Sequence, residues 1–207
     1  MIWPWVTLAL LGAYHGINPG MGWLFAVSRG LQERRGAAVA GALPPIALGH
    51  ALAIGVTLAA LAIGRASLGA TSVRWAAAAV LVVFGVSKLI RHRHPRWVGM
   101  RVGFGGLFLW SFLMATAHGA GLMLLPLFVA EAPVPSCHAH AGLALTGPGG
   151  YAAATLVHTG AMLVVAGTIA FVVYYKLGLS LLRRGWFNLD RVWAAALVVS
   201  GIAAAVA

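Results

Sequence analysis

The sequence predicts an all-α, polytopic membrane protein with six transmembrane helices arranged as two inverted three-helix repeats. Three observations carry that expectation. The 207 residues are 61% hydrophobic and only 8% charged, with a mean hydropathy of +0.93, a composition that bilayer helices need and soluble domains seldom reach. The apolar residues run in stretches of bilayer length, about 20 residues each. The basic residues gather in alternate connections between those stretches.

The expected spans are 3–28, 39–64, 74–91, 103–129, 151–175 and 187–207, within a single membrane domain, 1–207. The first repeat covers 1–101 and the second 102–207. The opening Met1-Ile2-Trp3-Pro4-Trp5 lacks a basic leader, and the apolar run after it is long enough to be retained as span one. Near its midpoint stands His15, followed by Gly16-Ile17-Asn18-Pro19-Gly20-Met21-Gly22. Backbone should unwind there, because Pro19 removes a helical donor and the glycines accept unusual dihedrals. Carbonyls freed in hydrocarbon must then be buried in protein or line a wet cavity. A small-residue helix contact with a proline kink would account for the glycines, but it leaves His15 and Asn18 without a reason.

Span two passes Pro44-Pro45 and places His50 at depth between Gly49 and Ala51. Span three is rich in Ala and Val and reads as scaffold. His92 and His94, in the loop after it, are flanked by arginines that oppose a dication, so that loop reads as an anchor. Span four carries Met114, His118, Gly119, Gly121 and Met123 before Pro126, making it the counterpart of span one. The next loop holds Cys137, His138 and His140 without any Lys or Arg, and could capture a soft or borderline metal outside the membrane; a solvated loop with a coincidental cluster is the alternative. Its cysteine is the only one in the chain and cannot form an internal disulfide. Span five holds His158 and Met162, and span six offers no chemistry.

The formal charge of +11 reads as topology and not as a nucleic-acid surface. Twelve of the fourteen basic residues fall in the first, third and fifth loops, leaving Arg65 and Arg74 on the other side. The positive-inside tendency then makes the odd loops cytoplasmic, sets both termini outside and places the chain in the inner (plasma) membrane. Its partners are expected to be membrane lipid, a metal ion and no nucleic acid, with a homodimer or a larger membrane complex completing the packing.

The chemistry lies in four mid-span histidines. His15 and His50 belong to the first half, His118 and His158 to the second. An odd number of spans per repeat reverses the second half, and such inverted repeats place sites near the midplane on interrupted helices. Four converging imidazoles would bind a transition metal: copper, nickel, cobalt or zinc. Asn18, Gly16, Met21, Gly119 and Met123 would shape the path. Thioethers favour Cu(I), and the first five spans contain no Asp or Glu to neutralise a dication, while Asp190 lies at the membrane-surface end of the sixth. The histidines could also carry protons in exchange. No nucleophile and base spacing points to an enzyme. Two other classes stay open, a b-type haem electron-transfer subunit held by histidine pairs and an accessory subunit of a larger membrane complex.

The stretch His15-Gly16-Ile17-Asn18-Pro19-Gly20-Met21 resembles a degenerate form of the first-helix signature of NicO and UreH-type nickel/cobalt transporters, in the wider LysE-type superfamily. Gly49-His50-Ala51 is similar to the glycine-histidine-serine element of the family's next helix. The resemblance implies a transporter of six spans in a three-plus-three inverted plan. Asn18 stands where the family has its first aspartate, Gly20 where it has the second and Met21 where it has a second histidine. Those departures imply a softer or less charged cargo than nickel.

Overall fold

The computed structural model describes residues 2–90, 102–129, 147–177 and 189–206, and every regular element among them is helical. Helix α1 (Trp3–Ile17) starts with Pro4 in its first turn, where no helical donor is lost. It stops because Asn18 precedes Pro19 and is forced into extended backbone, φ −69° and ψ 121°. The Asn18 side chain then accepts a 2.9 Å hydrogen bond from the Gly20 amide and caps a 3₁₀ turn, Pro19–Met21. Gly22, at φ 115°, redirects the chain into α2 (Trp23–Glu33).

This break frees the Ile17 carbonyl, since the Met21 amide turns to Asn18 instead. Trp23 supplies the missing donor, its indole Nε1 reaching Ile17 at 3.1 Å. Trp23→Phe should keep the ring and lose that bond. The expected loss is about 0.5–1.5 kcal/mol, the usual net worth of a hydrogen bond, read as a lower unfolding temperature in detergent.

Arg34 closes α2 in the left-handed region, and a two-residue turn leads to α3 (Gly36–Leu68). At that turn Arg29 and Arg35 both pair with Glu33. The Arg29 hydrogen bond, followed by that of Arg35, holds the Glu33 carboxyl below its ordinary value. The resulting stabilisation is present above the ordinary carboxylate range and is lost as pH falls through the lowered value, and exposure keeps it small.

Helix α3 has 33 residues, a length of about 50 Å at 1.5 Å per residue, and it extends past the predicted 39–64 at both ends. Pro44 and Pro45 lie inside it without ending it. Gly69 alone joins α3 to α4 (Ala70–Ile90). In the second half α5 (Phe104–His118) ends on left-handed Gly119, and a 3₁₀ turn, Leu122–Leu124, leads to the short α6 (Leu125–Val129). Then come α7 (Gly147–Val172), continued by a π-helical turn Val173–Leu177, and α8 (Leu189–Val206).

Among the described residues three helices are long and apolar enough to cross a bilayer, namely α3, α4 and α7 with its π turn; the α5/α6 pair, bent by 48°, makes up to four if counted as one crossing. Helix α8 adds a shorter apolar stretch, Ala194–Ala205. The expected first span is two helices, α1 and α2, each too short to cross alone because Asn18 to Gly22 divide them.

Helix α4 packs chiefly on α8, α1 on α7, and α3 on α5. The buried side chains form two apolar clusters. One includes Leu8, Ala53, Ile54, Leu58, Ala154 and Phe128, and the other Trp23, Val27, Ile46, Leu107, Met162 and Val173. Along α3, Ile46 and Ala53 fall in different clusters with His50 between them. Ala154 and Met162 bracket His158 on α7 in the same way, while Leu8 and Trp23 bracket His15. The histidines therefore occupy a polar layer between two apolar ones.

Candidate metal centre

Two glycine contacts set that layer. Gly12 lies one turn before His15, and a Cβ placed on it would come within 2.1 Å of the His158 carbonyl oxygen. Gly49 immediately precedes His50, and a Cβ there would come within 2.3 Å of the Phe108 carbonyl oxygen. At both places one backbone rests directly on another, which only glycine allows. Ser111 of α5 strengthens the second contact, its hydroxyl donating to the Ile46 carbonyl at 2.6 Å.

With the helices this close, the His15, His50 and His158 rings meet. Each offers a nitrogen, and the three nitrogens lie within 4.8 Å of one another. Ring centroids are 5.3 Å apart for His15 and His50, 4.9 Å for His15 and His158, and 5.5 Å for His50 and His158, whose planes are parallel within 2°. Three imidazoles this close could hold one metal ion. His15 is 2% exposed and the other two are fully buried.

The hydrogen bonding of the rings is unusual for buried histidines. His15 Nδ1 pairs with the Leu11 carbonyl at 3.0 Å; a carbonyl only accepts, so Nδ1 carries the proton and Nε2 keeps its lone pair when the ring is neutral. Neither nitrogen of His50 has a hydrogen-bond partner, and neither has one on His158, where the Leu8 carbonyl is near but outside hydrogen-bond geometry. Buried polar groups without partners are rare and point to a ligand, a strain reservoir or a catalytic use.

The fourth predicted histidine stands apart from the three-ring cluster. His118 ends α5 and is buried, and its Nδ1 donates to the Met114 carbonyl at 2.9 Å, repeating the His15 arrangement. It is near enough to His15 to interact with it electrostatically. Its ring, the Met114 methyl and Asn18 Oδ1 all border Gly20: they lie 3.7, 3.4 and 3.2 Å from a Cβ built there.

Of the other path residues, Gly16 rests against the Met162 carbonyl of α7, and Met21 is buried. Gly119 turns the chain at φ 74° beside Phe84, and Met123 sits in the first apolar cluster, where Ser200 donates to its sulfur at 3.7 Å. Cys137, His138 and His140, like His92 and His94, lie outside the described residues.

Sequence reasoning missed Gly12 and Ser111. Gly12 had a legible signal, since Gly12 and Gly16 form the four-residue small-residue spacing of close helix pairs. Ser111 had none, because a mid-helix serine is common and its acceptor lies 65 residues away in the chain. Comparison of the chain with models of known families, with characterised proteins and with solved structures finds no match.

Proposed function

We propose that the chain is a small inner-membrane transporter of a transition metal ion, with His15, His50 and His158 as its ligands. The observation that carries this reading is the convergence of three buried imidazoles from α1, α3 and α7, two of them without any hydrogen-bond partner. Imidazole is a ligand for copper, zinc, nickel and cobalt, and a partnerless pair in an apolar core is otherwise only a burden on stability. His118 takes the role of a neighbouring station, beside Asn18 and Met114 at the break.

The six-span, two-repeat plan belongs to the same proposal. Exchanging the two halves converts the α1/α7 contact into the α5/α3 contact and leaves α4 against α8. His15 and His118 each lie in the last turn of a helix, each bond the carbonyl four residues back, and each precede a break with a 3₁₀ turn. Gly85 of α4 rests on the Ala194 carbonyl of α8, and Gly201 of α8 on the Ala78 carbonyl of α4. Such correspondence supports inverted repeats around a midplane site. The NicO-type resemblance and the placement of both termini outside stand on the sequence reading. Against the haem alternative, the two parallel rings are fully enclosed by neighbouring helices.

Purified protein in liposomes loaded with a metal-sensitive dye tests the proposal. Uptake or release should exceed that of empty liposomes and return to their level when His50 and His158 are both replaced by alanine. Equal flux in the double variant would overturn it.

A further inference from the structure

We propose that the three-histidine cluster selects a monovalent d¹⁰ cation, Cu(I), over divalent ions; this rests on the metal-transport reading above and narrows its cargo. Charge is the first reason. The self-energy of a buried ion rises with the square of its charge, so a dication meets roughly four times the desolvation of a monocation of the same size. Divalent sites in proteins commonly offset this with carboxylates, thiolates or a metal-bound hydroxide. Here the three converging groups are all imidazoles. Of the chain's three acids, Glu33 is paired with Arg29 and Arg35 at the end of α2, Asp190 is in the first turn of α8, and Glu131 lies outside the described residues.

Ligand number is the second reason. Zn(II) sites are completed to four ligands or keep a water, whereas a monovalent d¹⁰ ion is satisfied by two or three. Three nitrogens within 4.8 Å, enclosed on both sides by apolar clusters, match the lower number.

The support around the ligands is the third. Histidines on divalent metals commonly donate their second N–H to a carboxylate, backbone carbonyl or water, which orients the ring and makes it a stronger donor. His15 has such a partner in the Leu11 carbonyl, but the His50 and His158 rings do not. Neutral imidazoles without that support are poor ligands for an ion that needs charge and suitable for a soft one. The surroundings continue the theme, with the Met114 thioether side chain and the His118 ring meeting at Gly20.

The full chain, purified in detergent and kept anaerobic, would be titrated with Cu(I) against a chromogenic Cu(I) chelator, and with Zn(II), Ni(II) and Co(II) by equilibrium dialysis. Ag(I), which has the same charge and electron count without the redox chemistry, serves as a check. The expected result is one Cu(I) or Ag(I) per chain, held at least about 100-fold more tightly than any of the three divalent ions. Asn18→Asp supplies a second readout without disturbing the fold, because aspartate keeps the acceptor that caps Gly20 and adds a negative charge three residues beyond His15. It should narrow the gap between divalent and monovalent ions by roughly 10-fold or more. Divalent ions binding the intact triad as tightly as Cu(I) would overturn the selectivity and leave the metal reading standing. No retention of any of these ions would overturn both.

Discussion

Replacing His50 with leucine is expected to remove metal binding while leaving the unliganded protein as stable as before, or more so. The two effects share one cause. Removing one of three ligands lowers affinity by roughly 100-fold or more, since even loss of a supporting partner costs 10–100-fold. In the unliganded fold, however, both His50 nitrogens are buried without partners. An unsatisfied buried polar group costs about 1–3 kcal/mol, and a leucine of comparable bulk removes that penalty. The unfolding temperature without metal should therefore hold or rise, and the increase that metal confers on the parent should vanish. His158→Leu should behave alike. His118→Leu should do less to binding and more to folding, because it breaks the bond to the Met114 carbonyl. If His50→Leu unfolds the protein, the ring is structural, and the site assignment fails.

Gly12→Val is expected to lose the fold or push α1 away from α7, and metal binding should go with it. Even a methyl at this position would come within 2.1 Å of the His158 carbonyl, and the obstruction is backbone, which no rotamer change can clear. Overpacking in a filled core typically costs about 1–3 kcal/mol and sometimes more; a direct clash with a main chain belongs at or above the top of that range. Gly160 gives the control. It sits in α7 two residues beyond His158, and a Cβ there meets nothing within 4 Å. Gly160→Ala should therefore stabilise the helix by about 0.5–1 kcal/mol and leave binding intact. Thermal unfolding monitored by size-exclusion chromatography in detergent reads both changes, and equal behaviour of the two variants would refute the close-contact account.

The long apolar helices and the interruption after His15 were legible because each follows from local chemistry. Asn18-Pro19 disfavours helix locally, and the observed break falls where that pair predicts it. The left-handed turn at Gly119 was less explicit, since glycine permits such a turn without requiring one. Four histidines were visible in the sequence, but which of them meet was not. Convergence depends on helix rotation, and that is set by contacts such as Gly12 on His158 and Gly49 on Phe108, whose partners are distant in the chain. His118 entered the expected set through the analogy between halves, but it is not one of the three rings that converge, although it lies in the last turn of α5 as His15 does in that of α1. Pro44 and Pro45 show the reverse case, a strong local breaker carried within α3, with Pro44 exposed and Pro45 buried.

The two apolar clusters that enclose the histidine layer bear on the energetics of the whole cell. A line of imidazoles open to water at both ends would relay protons by hopping from ring to ring and short-circuit the gradient across an energised membrane. Ile46, Leu107 and Val173 on one side, and Leu8, Leu58 and Phe128 on the other, leave the rings no continuous column of water to join. The polar layer is thereby electrically insulated, and the proposed transport requires a motion that admits an ion from one side while the opposite cluster stays closed.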